Sequence, residues 1–207
     1  MKKLENKTVF ITGGISGIGK ACAIAAAKEG ANVAIADLKS ATNSLAMEDV
    51  IKYNPKAIFI ECDVSVFAQV QETIQRVVGV FGTLDIALNN AGIGGESNLG
   101  KVGFPNSSNY VAAKHGIIGL TQTAALEYAQ EGIRINAICP GFIETPLLTN
   151  AGIAENTDIQ KYIINLHPLK RLGKSGEVAN GFIFLASDES SFITGTTVDI
   201  DGGYLSQ

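Results

Sequence analysis

Thr8-Val9-Phe10-Ile11-Thr12-Gly13-Gly14-Ile15-Ser16-Gly17-Ile18-Gly19 decides the fold. Thr8–Thr12 is a short apolar, β-branched run, the composition of a buried strand. It gives way without a spacer to a glycine-rich turn. Ser16–Glu29 then carries small and apolar residues at helical spacing and stops at Gly30. Gly13 lets the chain turn sharply, Gly17 removes a side chain where a phosphate could approach, and Gly19 lets the helix lie close to the strand. A helix starting there offers unpaired N–H groups and a partial positive charge to an anion such as a pyrophosphate. Read alone, the same turn also fits an ordinary strand-to-helix connection.

The same alternation continues outward. Asn32–Asp37, Ala57–Glu61 and Leu84–Leu88 read as further strands; Thr42–Tyr53 and Ser65–Phe81 read as helices, the second capped by Ser65. Ser107–Glu131 is a long helical segment with small residues at Ala112, Ala113, Gly116 and Gly119, as if packed tightly on one side. Arg134–Cys139 is a strand, Pro140–Asp158 is loop-like, and Glu155–Leu166 a short helix. Gly176–Asp188 is a helix and Thr196–Ile200 a last strand. Near-continuous apolar strands between helices mean a sheet covered on both faces. The expected architecture is therefore an α/β, doubly wound parallel sheet of Rossmann type, a single domain over residues 1–207.

Composition agrees. Hydrophobic residues make up 46% and charged residues 17% of 207, which excludes a disordered chain. The formal net charge of −4 leaves no basic surface for nucleic acid. No run of about 18 apolar residues predicts a membrane span, and the opening residues lack the pattern of a secretory leader. Cys22, Cys62 and Cys139 are odd in number and far apart, suiting buried thiols in a reducing, cytoplasmic setting and neither disulfides nor zinc. His115 and His167 have no ligand companions, so no metal site is expected, and no nucleophile elbow points to a hydrolase.

Two constellations carry chemistry. Asp37 ends the second strand, 24 residues after Gly13, where a carboxylate can accept both hydroxyls of an adenosine ribose. It would repel a 2′-phosphate, favouring NAD(H) over NADP(H), although Lys39 stands close enough to blur that preference. Asp63-Val64 ends the third strand, at an adenine edge or as a helix-opening acid. Tyr110 and Lys114 are four apart in a helical segment, hence one turn apart on one face. Trading a proton at pH 7 asks about 4 kcal/mol of a free phenol. One ammonium about 4 Å away in a partly screened site supplies roughly that much. A surface pair would show the same spacing.

Together with Asn89-Asn90-Ala91-Gly92, Pro140-Gly141-Phe142-Ile143-Glu144-Thr145 and Thr194-Gly195…Asp199-Ile200-Asp201-Gly202-Gly203, these residues resemble the short-chain dehydrogenase/reductase family, in its order across nearly the whole chain. The branch it looks most like contains the 3-oxoacyl-carrier-protein reductases. The resemblance implies that Gly13, Ser16, Gly17, Ile18 and Gly19 hold the pyrophosphate, Asp37 the ribose, and Asp63 and Val64 the adenine. It implies that Asn89, Ala91 and Gly92 pass the nicotinamide ribose and that Pro140, Gly141, Ile143 and Thr145 seat the carboxamide. Tyr110 matches the catalytic acid/base, and Lys114 the residue that holds the nicotinamide ribose and lowers the tyrosine pKa. Ser97, thirteen before Tyr110, matches the serine that polarises the substrate oxygen. The implied reaction is hydride transfer between nicotinamide and a secondary alcohol or ketone, in a homodimer or homotetramer.

The chain departs from that pattern in one place. Only Ile93–Glu96 separate Gly92 from Ser97, where the family places a helix and a central strand; roughly 30–45 residues, about one βα unit, are missing. Either the chain is shortened as such or an internal stretch of the working protein is left out. A catalytically impaired or non-catalytic dinucleotide-binding protein is the alternative reading. Phe142, Leu147, Leu148, Ile153 and Tyr162 form either an apolar lid over substrate or a plain core segment.

Overall fold

A computed structural model describes residues 2–38, 43–92, 101, 108–150, 153 and 157–207. The chain forms two compact units, Met1–Ile93 and Gly94–Gln207.

In the first unit, strands β1 (Thr8–Thr12), β2 (Asn32–Asp37), β3 (Ile58–Glu61) and β4 (Ile86–Asn89) alternate with helices α1 (Gly17–Lys28), α2 (Asn43–Ile51) and α3 (Phe67–Phe81). All four strands are parallel, in the order β3-β2-β1-β4. The reversal of direction at β1, with right-handed crossovers, puts α1 and α2 on one face and α3 on the other. Every residue of β1 is buried, as a strand covered on both sides requires. Phe10, Ala34, Ala36, Ile60 and Cys62 cluster with Val77 of α3. Strand alternation turns Val9, Ile11, Val33 and Ile35 to the opposite face, and α1 buries Cys22, Ala23, Ala26 and Ala27.

Two boundaries here move from the sequence reading, the start of α3 and the start of β4. Helix α3 opens at Phe67 with Val66 as cap, and Ser65 does not cap it. Ser65 spends its N–H and hydroxyl on the Asp63 carboxylate instead, at 2.9 and 2.7 Å. Helix α3 ends on Gly82, at φ 83°. Strand β4 begins at Ile86, because the Asp85 carboxylate turns back to accept the Thr8 N–H at 2.8 Å. It pairs with β1 alone among the described residues, and Ala87 and Asn89 are exposed.

The second unit comprises α4 (Ser108–Tyr128), β5 (Ala137–Pro140), β6 (Ile143–Glu144), α5 (Pro146–Asn150), α6 (Asp158–Asn165), β7 (Gly173–Lys174), α7 (Ser175–Ala186) and β8 (Thr197–Ile200). Strands β5 and β8 form one parallel pair, β6 and β7 another. Helix α7 buries Val178, Ala179, Phe182, Ile183 and Leu185. A short strand and a short helix thus occupy what reads as loop between Pro140 and Asp158. Thr157 caps α6 by accepting the Gln160 N–H, so that helix starts after the expected Glu155. Strand β5 starts three residues late. Arg134 is occupied by the carbonyls of Leu185, Ser187 and Ile193, and Asn136 by Ile193. The small residues of α4 are not packed tightly. Ala112, Ala113, Gly116 and Gly119 are exposed, and a methyl group on either glycine would meet nothing within 4 Å.

Candidate functional site

The glycine-rich turn is built at the C-terminal ends of β1, β2 and β4. Gly13 takes φ +66°, a left-handed conformation that costs other residues about 1 kcal/mol or more. A Cβ on Gly19 would stand 2.2 Å from the Gly13 carbonyl oxygen, so only glycine lets α1 start this close beneath the turn. Gly17, at φ 50°, is its first residue. Ser16 is the N-cap, exposed, and makes no side-chain capping bond. Ile15 precedes it and Ile18 follows in the first helical turn. The donor set is therefore the N-terminus of a twelve-residue helix with no acidic residue in its first turn. That suits an anion, and glycines at positions 13, 17 and 19 leave the room a pyrophosphate needs.

Asp37 closes β2 beside this turn. One carboxylate oxygen accepts the Ile15 N–H at 3.2 Å and the other the Leu38 N–H at 2.8 Å. The candidate ribose acid is thereby tied to the cradle. Lys39 lies outside the described residues.

Two residues to which no specific role was assigned from sequence hold the turn. The Asn90 amide donates to the carbonyls of Thr12 and Gly13, at 3.1 and 2.9 Å. The Thr12 hydroxyl accepts the N–H groups of Asn90 and Ala91, both at 3.1 Å. Together they bind the end of β1 to the chain leaving β4, which sets Asn89, Ala91 and Gly92 next to the turn. The signal was a polar residue closing an apolar strand and a doubled asparagine closing another. Asp63 serves as a turn acid before α3: Ser65's hydroxyl and N–H hold its carboxyl below the usual carboxylate range. Val64 is exposed beside it.

In the second unit Tyr110 and Lys114 lie one turn apart on α4, with the Lys114 Nζ 5.4 Å from the centre of the Tyr110 ring. The pairing is as expected; its electrostatic result is not. Burial pushes the Tyr110 phenol above 10, and the ammonium over the ring face does not offset this. The same ammonium is felt on β5, where burial first and Asp199 second push the Cys139 thiol up while Lys101 and Lys114 pull it down. Helix α4, which carries Lys114, packs beside β5, the strand that ends in Pro140. Asp199 itself accepts from Lys101 at 2.7 Å.

The Pro140–Thr145 segment leaves β5 under close control. Gly141 donates to Ile200 at 2.9 Å and lies so near Asp201 that a Cβ would be 2.7 Å from its Cα. Phe142 and Ile143 are buried; Thr145 opens the turn into α5 and accepts from Leu148 and Thr149. Phe142 and Ile153 join Ile163 and Leu172 in a core cluster with Leu148 against it, whereas Leu147 and Tyr162 are exposed. The five residues weighed as a lid thus divide between core and surface. Ser97 lies outside the described residues. Among those described, no group of acidic, histidine or cysteine side chains is arranged for a metal ion, and no helix is long and apolar enough to cross a membrane.

Comparison with known proteins bears on these arrangements together. Residues 7–99 match the family model for short chain dehydrogenase, and residues 96–205 that for enoyl-(acyl carrier protein) reductase. The chain is 34% identical to cyclohexanol dehydrogenase of Acinetobacter sp. (strain SE19), covering 99% of this chain and 97% of that one. It is 35% identical to the 3-oxoacyl-[acyl-carrier-protein] reductase FabG of Staphylococcus epidermidis, over 96% and 98%. The first alignment runs over 251 positions against this chain's 207 residues, so at least 44 positions face a gap. Among solved structures, levodione reductase matches with TM-score 0.90 at 32% identity, covering 97% of this chain and 98% of that one. ElxO with NADP bound matches at 0.87 and 33%, over 97% and 99%. Relatives named as dehydrogenases and reductases give the impaired or non-catalytic alternative no support.

Proposed function

On the premise that the chain belongs to the short-chain dehydrogenase/reductase family and is an oxidoreductase acting on CH–OH or C=O groups, we propose that residues 1–207 act as one NAD(H)-dependent domain that interconverts a secondary alcohol and a ketone. Two relatives are named for cyclohexanol and levodione, which makes cyclic alcohols and ketones the first substrates to try.

The observation that carries the proposal is the Tyr110–Lys114 pair on one face of α4, the helix that packs beside the strand leading into Pro140. Tyr110 donates its phenolic proton to the ketone oxygen in reduction and takes it back in oxidation. Lys114 holds positive charge against the ring, and excluding water strengthens its attraction for the phenolate against the burial that opposes ionisation. Ser97 hydrogen-bonds the substrate oxygen. Gly13, Ser16, Gly17, Ile18 and Gly19 bind the pyrophosphate; Asp63 and Val64 flank the adenine; Asn89, Ala91 and Gly92 pass the nicotinamide ribose; Pro140, Gly141, Ile143 and Thr145 seat the carboxamide. The nicotinamide, when bound, supplies or accepts the hydride.

The preference for NAD(H) over NADP(H) rests on Asp37. Its carboxylate is anchored by two backbone N–H groups and cannot swing away from a 2′-phosphate without breaking both. A cytoplasmic homodimer or homotetramer completes the proposal, on the resemblance alone. The test is NADH and NADPH fluorescence titration, followed by oxidation of a panel of cyclic and open-chain secondary alcohols. Tyr110→Phe is expected to lower turnover by 10²–10⁴-fold while NADH affinity stays within twofold. A Tyr110→Phe enzyme with full turnover refutes the assignment.

A further inference from the structure

His167 is 1% exposed, and both its ring nitrogens meet backbone. The Phe142 N–H points at Nε2 at 3.3 Å, and Nδ1 lies 2.9 Å from the Ile163 carbonyl oxygen. An amide N–H can only donate and a carbonyl can only accept. The neutral tautomer with its proton on Nδ1 is therefore the one form that satisfies both. The Phe142 ring meets the imidazole edge-on at 5.5 Å and 82°, and Tyr204 closes the other side at 5.5 Å. Gly202, at φ +61°, carries the chain after β8 over the same ring, 3.5 Å from where a Cβ would sit to Cδ2. One side chain thus joins the end of α6, the β5–β6 connection and the chain leaving β8.

We propose that His167 is a positioning residue: by accepting the Phe142 N–H it fixes the peptide plane between Gly141 and Phe142, so that the Gly141–Ile143 stretch faces the nicotinamide end of the cofactor in one orientation. The proposal rests on the functional reading of Pro140–Thr145 given above. Other backbone bonds hold this segment at Gly141 N–H, to Ile200, and at Phe142 C=O, from Gly173 N–H. Neither serves the Phe142 N–H. A buried amide stripped of its acceptor is costly, and the peptide escapes by rotating, which moves what its neighbours present.

Two amide substitutions separate the two ring nitrogens. His167→Gln can place an oxygen near Nε2 and keep the Phe142 bond. His167→Asn can place a nitrogen near Nδ1 and keep only the Ile163 bond. Turnover of the Asn variant is expected to fall about tenfold, together with a similar loss in the ratio of NADH to ADP-ribose affinity; the Gln variant stays within about threefold. A purely structural role would affect both variants alike and leave that ratio unchanged, and this result overturns the proposal. Nitrogen-15 NMR of histidine-labelled wild-type enzyme without nucleotide is an independent reading that needs no variant. A proton on Nδ1 of His167 supports the proposal, and a proton on Nε2 overturns it even if neither variant folds. Failure of the functional reading shows separately, as a wild-type enzyme that binds no dinucleotide or a Tyr110→Phe enzyme with full turnover.

Discussion

A methyl group added at Gly19 would stand 2.2 Å from the Gly13 carbonyl oxygen, 2.6 Å from the Asn90 amide nitrogen and 2.9 Å from the Gly13 carbonyl carbon. Two of these three atoms are backbone and cannot swing aside. Reaching an ordinary carbon–oxygen separation requires α1 and the turn to part by about 1 Å. Overpacking of this kind costs roughly 1–3 kcal/mol. The same movement breaks the bond from Asn90 to the Gly13 oxygen, worth about 1 kcal/mol more. Gly19→Ala should therefore lose about 2–4 kcal/mol of a total near 5–15. NADH affinity should fall at least tenfold, because the helix N–H groups no longer converge. Urea unfolding and NADH fluorescence titration read the two effects. Gly79→Ala is the control: it lies inside α3 with nothing within 4 Å, and should stabilise by about 0.5–1 kcal/mol. A Gly19→Ala protein with wild-type stability and affinity would refute the packing argument.

Other consequences are testable in the same preparations. Burial holds the Tyr110 phenol neutral above pH 10, so the free enzyme's ultraviolet titration, minus that of Tyr110→Phe, should show a tyrosine ionising above 10. A group raised in the folded state stabilises below its unfolded value, so this contribution disappears as pH climbs through the folded one. An ionisation below 10 would contradict it. Glu177 runs the other way: Arg171's paired donors hold its carboxyl down at about 2, against an ordinary 4.5. Its contribution is complete above pH 4.5 and lost as pH falls towards 2, so Glu177→Gln should flatten the acid limb of a melting-temperature profile in that window. An unchanged limb would show the exposed pair contributes nothing. Burial pushes the Cys22 thiol up to about 12, so a maleimide at pH 8 should leave it untouched until the protein unfolds; rapid labelling of native protein would contradict its burial.

The strands and the glycine turn were legible because each rule involved is local. A β-branched run covered on both faces announces itself, and a turn needing φ +66° with no room for a Cβ admits glycine alone. What escaped is set by contacts distant in sequence. Asp85 shortens β4 by reaching Thr8, 77 positions away. Arg134 and Asn136 delay β5 through carbonyls 51 to 59 positions on. The Tyr110–Lys114 spacing was readable, but the balance between a nearby cation and burial depends on how much protein surrounds the phenol. His167 looked like an unremarkable loop histidine because its partners, Phe142 and Tyr204, lie 25 and 37 positions to either side.

Order of synthesis gives the brace around Phe142 a further meaning. Everything that steadies it from the far side, Gly202 and Tyr204 included, is made after it. Strand β8 must travel back to β5 across a separation of sixty residues, a slow search. While a nascent chain waits for those residues, the nucleotide turn at the other end can already have its shape; the stretch after Pro140 cannot. If the proposed cofactor site is right, ribosome-bound chains cut short before Thr197 would grip the adenosine half of a dinucleotide and leave its reactive ring unheld.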